Sequence, residues 1–215
     1  MQRHSHGDGT GGIIVIVVVK GLQRSCTNFV AELLKKNFEV EVDTEHKHDL
    51  RPYGPRGPIV LCLKNPYAWL ASIWKHAKKT PSYGRQPSFS TFLRTGFKFP
   101  LPDGKFNKVR RPVHAWNEFN EGILNYRGRS IYLVYQESFI FHNNAVKAVR
   151  RLAEVLPTIE PKQEIIPARV RLSRGFDPNY YRRRKYMKLY TPADVKYVTN
   201  ALDPSLMKKL GYSFA

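Results

Sequence analysis

The stretch that most constrains this chain runs from Ile13 to Leu34, IIVIVVVKGLQRSCTNFVAELL. Every residue from Ile13 to Val19 is apolar and most are β-branched. An unbroken apolar run of this kind reads as a strand buried on both faces, which is the habit of a parallel sheet. A polar turn follows, Lys20-Gly21-Leu22-Gln23-Arg24-Ser25-Cys26, and an apolar-periodic segment opens at Thr27. Phe29, Val30, Leu33 and Leu34 recur at helical spacing, so the segment reads as an amphipathic helix. A strand, a tight turn and a helix N-terminus together make an anion site. The first-turn N–H groups have no carbonyl behind them, and the helix dipole is positive at that end. Arg24, Ser25, Thr27 and Asn28 add side-chain donors. The stretch is a phosphate cradle.

The rest of the chain repeats this logic. Phe38-Glu39-Val40-Glu41-Val42 alternates apolar and polar, as a half-exposed strand does, and runs into the polar loop Asp43–His48 and a Pro/Gly turn region. Ile59–Leu63 is a second buried strand. It ends in Lys64-Asn65-Pro66 and is followed by a helix with Tyr67, Leu70, Ile73 and Trp74 on one face. Residues 80–110 are rich in Pro, Gly, Ser and basic residues and read as a lid or insertion with one short helix around Phe89–Thr95. A helix over Val113–Tyr126 turns Trp116, Phe119, Ile123 and Leu124 inward. A third buried strand spans Ser130–Tyr135, and Asn143–Leu156 is an amphipathic helix. A final short helix opens at Thr191-Pro192, a good N-cap and N1 pair. Strand–turn–helix units with buried strands predict a three-layer α/β fold: a central parallel β-sheet flanked by helices, with a P-loop-like phosphate-binding turn.

With 215 residues the expectation is a flexible leader over 1–12 and one domain over 13–215. The leader's His4 and His6 read as part of a disordered tail. The balance of 36 basic against 17 acidic residues gives +19. Such an excess calls for a polyanionic partner, whether nucleic acid, anionic membrane surface, nucleotide-like ligand or acidic glycan. The segment 168–190 is the most basic part, with Arg169, Arg171, Arg174, Arg182–Arg184, Lys185 and Lys188 against Asp177. Cys26 and Cys62 form no CxxC pair and read as reduced small side chains. The Ile13–Val19 run is shorter than the about 20 residues a membrane span needs. Lys20-Gly21 is no signal cleavage site. The expectation is a soluble, cytoplasmic protein.

The first turn is not a triphosphate-binding signature. Counting from Gly21, that signature needs Gly and Lys where Cys26 and Thr27 stand. No acidic residue directly closes the strands ending at Leu63 and Tyr135 to hold Mg²⁺. The second turn places Lys64 at the C-terminal edge of a buried strand, where ligands bind in open α/β sheets, and Ser72 eight residues on, about two helical turns into the next helix. A cation and a hydroxyl so placed grip a second phosphate group, or are a surface Lys and an ordinary helix Ser.

Together these pieces resemble the sulfotransferase family that uses 3′-phosphoadenosine 5′-phosphosulfate (PAPS). Arg24-Ser25-Cys26-Thr27-Asn28 is similar to the family's phosphosulfate loop, and Lys64-Asn65-Pro66 with Ser72 to its 3′-phosphate motif. Tyr135-Gln136-Glu137-Ser138 resembles its Tyr-Glu-Asp-Leu strand end, and Pro112-Val113-His114-Ala115-Trp116 the helix carrying a characteristic Trp. The order and spacing cover residues 13 to 160. Cys26 replaces the loop Gly, which is less permissive in φ but keeps its N–H, and Lys64 replaces the more usual Arg. The C-terminal Arg-Lys-Gly element has no clean match; Arg171, Arg174-Gly175 and Arg182–Lys185 are the candidates, with Arg174 chosen.

The resemblance implies sulfuryl transfer from PAPS to a hydroxyl of a glycan or small molecule, without a metal. Arg24, Ser25, Cys26, Thr27 and Asn28 would take the 5′ side, and Lys64, Ser72 and Arg174 the 3′ side. His48 would be the general base and Lys47, with Arg24, would steady the leaving phosphate; His46 and Glu45 compete for the base. His46 and His48 lack the spaced Cys or carboxylate partners of a metal site. The alternative from another class is a non-catalytic basic nucleotide- or RNA-binding protein on the same cradle, with Tyr180, Tyr181, Tyr186 and Tyr190 offered for stacking.

Overall fold

The structure, a computed structural model, describes residues 15–45, 47–48, 57–80, 87–96, 110–137, 149–150, 152–154, 156, 162 and 178–215. Four strands form one sheet: β1 (Val15–Lys20), β2 (Val40–Asp43), β3 (Ile59–Leu63) and β4 (Ile131–Tyr135). Their order is β2-β1-β3-β4 and every pairing is parallel. Parallel neighbours need crossovers, and helices supply them. These are α1 (Thr27–Asn37) after β1 and α2 (Pro66–Ala77), α3 (Phe89–Arg94) and α4 (Pro112–Leu124) between β3 and β4. Beyond them lie α5 (Pro178–Arg182), a 3-10 helix (Lys185–Leu189), α6 (Pro192–Ala201) and α7 (Pro204–Lys209). The expected α/β fold with a parallel sheet between helical layers is therefore observed.

The β-period explains how one sheet serves two cores. Val17 and Val19 of β1 and Val60 and Cys62 of β3 point to the α1 side, where they meet Val30, Leu33, Leu34, Val149 and Leu152. Val18, Ile59, Leu61 and Leu63 point the other way, into α2, α3, α4 and the C-terminal helices. Both faces of β1 and β3 are buried, which is why their sequences are continuous apolar runs.

Details differ from the sequence-based expectation. β1 continues through Lys20, which is wholly buried, and Ile13 and Ile14 lie outside the described residues. Helix α2 is buried on every side from Pro66 to Trp74 rather than along one face, because β1, β3, α3, α4 and the C-terminal helices surround it. Strand β4 buries only Val134 fully and stands at the end of the order of described strands. Within 80–110, α3 drives Phe89, Phe92 and Leu93 into the core; 81–86 and 97–109 lie outside the described residues. Of the helix expected over Asn143–Leu156, residues 149, 150 and 152–154 are described and helical. The α5 and 3-10 turns within the basic segment, and α7, were not expected. The last of these carries its own signal: Asp203 caps Leu206 N–H and Pro204 sits at the first helical position.

The connection after β1 runs to one side of the sheet, to β2, and the next returns to the other, to β3. The C-terminal ends of β1 and β3 thus flank the switch point, where an open α/β sheet leaves a crevice. Among the described residues, no helix is long and apolar enough to cross a membrane.

Candidate functional site

The crevice begins at Gly21, immediately after β1. A Cβ there would stand 2.8 Å from Cys62 O and 2.9 Å from Thr27 Cγ2, so only glycine lets the turn pass this close to β3. Ser25 N–H then closes on Leu22 O at 3.1 Å. Arg24 and Cys26 both adopt positive φ, 70° and 62°, with Ser25 between them. Alternating the sign of φ in this way turns successive N–H groups toward one point, the geometry of an anion-binding nest. Cys26 is the N-cap of α1 and makes no side-chain capping bond. The backbone N–H groups of Cys26, Thr27 and Asn28 have no acceptor among the described residues. A left-handed Cys costs about 1–2 kcal/mol, a strain that the packing of Ser25 and Thr27, both buried, maintains.

The second turn is built differently. Asn65 accepts N–H bonds from Tyr67 (3.1 Å) and Ala68 (3.3 Å), so α2 caps its own N-terminus. Side chains rather than amides must carry any anion recognition here. Lys64 is only 2 % exposed, and its Nζ donates to two uncharged oxygens, Arg24 O at 3.4 Å and the Tyr181 hydroxyl at 3.3 Å. Among the described residues no carboxylate lies within ion-pair distance of it. Glu137, the nearest acid in the neighbourhood, instead accepts Asn65 N–H at 2.7 Å and the Tyr212 hydroxyl at 3.3 Å. Burial lowers the Lys64 pKa, and the Tyr181 hydroxyl and Glu137 counteract this in part. Burial likewise raises Glu137 against the pull of Asn65 N–H, Lys64 and Tyr212.

Two tryptophans hold the turns in place. Trp69 Nε1 donates to Gln23 O at 2.8 Å, which fixes the first turn to α2. Trp116 Nε1 donates to Lys64 O at 3.2 Å, which fixes the second to α4. Ser72 is buried on α2, close enough to Tyr181 to act on its phenol. Burial pushes the Tyr181 phenol up, but the Lys64 ammonium, the Lys64 and Ser72 hydrogen bonds and Arg24 outweigh it, so its pKa is lowered. Arg24 also helps to lower His76, after burial. Arg24, Lys64, Ser72 and Tyr181 therefore share one neighbourhood.

The loop after β2 joins the same place. Gly21 N–H donates to Lys47 O at 2.8 Å, and Lys47 Nζ donates to Asn28 Oδ1 at 2.7 Å. His48 Nδ1 lies 2.6 Å from Gly21 O; a carbonyl only accepts, so Nδ1 carries the proton and Nε2 keeps its lone pair. Burial lowers the His48 pKa, the Gly21 bond opposes this, and Lys47 and Lys20 add to the lowering. The imidazole is neutral near pH 7.

The structure thus gathers Arg24, Ser25, Cys26, Thr27, Asn28, Lys47, His48, Lys64 and Ser72 at the C-terminal edge of β1 and β3. Arg174 and His46 lie outside the described residues, as do Arg169, Arg171 and Gly175. Glu45 is exposed, with its own N–H on Asp43 Oδ1. Cys26 and Cys62 are free thiols; burial, then contact with Cys26, pushes Cys62 well up. No cluster of metal-ligating residues occurs among the described residues. Sequence reasoning named Tyr181 only for base stacking and Glu137 only within the Tyr135–Ser138 strand end, and missed their place beside Lys64. Tyr181 stands 117 positions from Lys64 in a stretch whose visible feature is its charge, so no local pattern could pair them. No protein-family model matches the chain, and a search of curated proteins returns no match.

Proposed function

We propose that the chain is a PAPS-dependent sulfotransferase, moving a sulfuryl group to a hydroxyl of a glycan or small-molecule acceptor. The observation that carries this reading is Lys64. Among the described residues this buried ammonium has two long hydrogen bonds to neutral oxygens and no ion pair, an arrangement that is costly unless an anion completes it. It lies across the switch point from a second anion-binding feature, the Cys26–Asn28 amides with Arg24. Two such features side by side suit a ligand with two separated phosphate groups. Counting from Gly21, Cys26 and Thr27 stand where a triphosphate-binding turn needs Gly and Lys.

In the proposed reaction His48 Nε2 takes the acceptor hydroxyl proton as the acceptor oxygen bonds to sulfur. The bond from sulfur to the bridging oxygen breaks, and the 5′-phosphate leaves with its electron pair. Its growing charge falls on Arg24, Lys47 and the Cys26–Asn28 N–H groups, donors already oriented before reaction. Gly21 O, by holding Nδ1–H, keeps the imidazole in the tautomer that can accept a proton.

The reading as a single-stranded RNA binder loses support from the tyrosines. Tyr186 is buried, and Tyr190 packs edge-on to Phe89 at 4.7 Å while donating to Tyr67 O. Lys75 Nζ covers the Tyr180 ring at 3.8 Å and Lys64 the Tyr181 ring at 4.6 Å. Base stacking needs open ring faces.

Calorimetry with adenosine 3′,5′-bisphosphate, the expected product, tests the reading. Binding at low salt is expected, and its absence would overturn it. Lys64→Met should weaken that binding on the order of 100-fold, within the roughly 2–5 kcal/mol lost with a buried charged partner. The same variant should melt no lower than the parent, because it removes a buried charge that has no ion pair among the described residues.

A further inference from the structure

Lys64 and Ser72, the residues assigned to the second phosphate, converge in this structure on one oxygen. Lys64 Nζ donates to the Tyr181 hydroxyl at 3.3 Å, and Ser72, buried on α2, is close enough to the same group to help lower its pKa. The ring is held independently of that hydroxyl, edge-on to Tyr180 at 5.2 Å and tilted against Tyr186 at 6.3 Å. An ammonium and a hydroxyl that meet on one oxygen are arranged as they would be around a phosphate oxygen. The phenol and a phosphate cannot both stand there.

We propose, on the reading of Lys64 and Ser72 as a phosphate site, that Tyr181 is a specificity-determining residue whose phenol oxygen holds the place of a phosphate oxygen and must be displaced. A contact made only in the unliganded state subtracts its free energy from binding. A phosphomonoester dianion returns far more to a buried ammonium than a neutral phenol does, because charge-assisted hydrogen bonds are about twice as strong. An anion with little charge density gains almost nothing by the exchange. Tyr181 thus filters ligands by charge at the second phosphate while leaving the Cys26–Asn28 cradle unaffected. Displacement also breaks the Tyr181–Lys64 hydrogen bond that ties α5 to the end of β3.

Tyr181→Phe keeps the ring and removes only the oxygen. Calorimetry on the variant should show adenosine 3′,5′-bisphosphate binding about tenfold tighter, the effect of deleting one competing hydrogen bond to a charged group. Inorganic sulfate should gain affinity as well, and adenosine 5′-phosphate should be unchanged. Equal bisphosphate affinity would make Tyr181 a bystander and weaker affinity would make it a ligand; either result overturns the proposal. Failure of the parent protein to bind the bisphosphate overturns the phosphate-site reading itself, whereas a binding parent with an unaltered variant overturns only the role of Tyr181. Amide exchange on the parent gives a second readout that needs no variant. The backbone of 178–182 should exchange faster when the bisphosphate is bound, and slower or equal exchange would overturn displacement.

Discussion

His48 is the residue whose chemistry is most sharply set by its surroundings. Its ordinary pKa of 6.5 is lowered by burial and by the neighbouring Lys47 and Lys20, against the Gly21 bond. A base must be unprotonated to act, so sulfuryl transfer should rise with pH through an inflection below 6.5 and then run flat across neutrality. A rate profile of the parent protein checks this, and His48→Ala should abolish turnover while bisphosphate binding persists. An inflection above 6.5, or normal turnover in the variant, would remove His48 from the role. The same lowering has a stability sign. The unfolded chain binds the proton first, so stability falls as pH drops below 6.5 toward the folded value.

At the scale of elements, the C-terminal helices are fastened to α3 through Asp194. Thr191 and Asp194 form a capping box at the start of α6. The buried carboxylate also accepts from Ser90 and Arg94 of α3. Burial raises the Asp194 pKa, but Arg94, Ser90 and Thr191 outweigh it and bring it from 3.8 to about 2. A depressed carboxylate stabilises above its unfolded pKa and loses that contribution as pH falls from 3.8 toward 2. Asp194→Asn should therefore cost about 2 kcal/mol at pH 7, with the gap closing near pH 2. Urea melts of parent and variant at the two pH values check it; a gap that does not narrow would mean the ionised form is not what stabilises. The N-cap and N1 pair was legible as Thr191-Pro192, whereas the role of Asp194 and its partners Ser90 and Arg94, about a hundred residues away, were not.

For the whole molecule, the excess of 36 basic over 17 acidic residues and the position of the crevice act together. The exposed part of this charge, which includes Arg24, Lys75, Lys78, Lys79, Arg182, Arg183 and Arg184, attracts anions over a range set by salt. Bisphosphate affinity should accordingly fall, on the order of tenfold, as ionic strength rises from about 0.01 to about 0.15 M and the Debye length shortens from about 30 to about 8 Å. It should not vanish, because the buried Lys64 is screened far less than the exposed cations. Titrations across that range check the claim, and salt-independent binding would contradict it.

Several features of this protein were determined by the sequence alone. Continuous apolar runs at Val15–Val19 and Ile59–Leu63 are satisfied by strands covered on both faces, so the parallel sheet and its helical layers follow from local pattern. The Gly21–Asn28 turn and Lys64 were readable because each begins at the end of a strand, and Ser72 because it follows Lys64 at helical spacing. What only tertiary structure decided are the meetings between distant segments. The order β2-β1-β3-β4 puts the two turns side by side. The loop after β2 folds back so that Lys47 meets Asn28 and His48 meets Gly21. Above all, Lys64 meets the hydroxyl of Tyr181, with no carboxylate at ion-pair distance among the described residues. Such contacts join residues separated by tens to more than a hundred positions, and their free energy depends on burial and distance, neither of which has a periodicity along the chain.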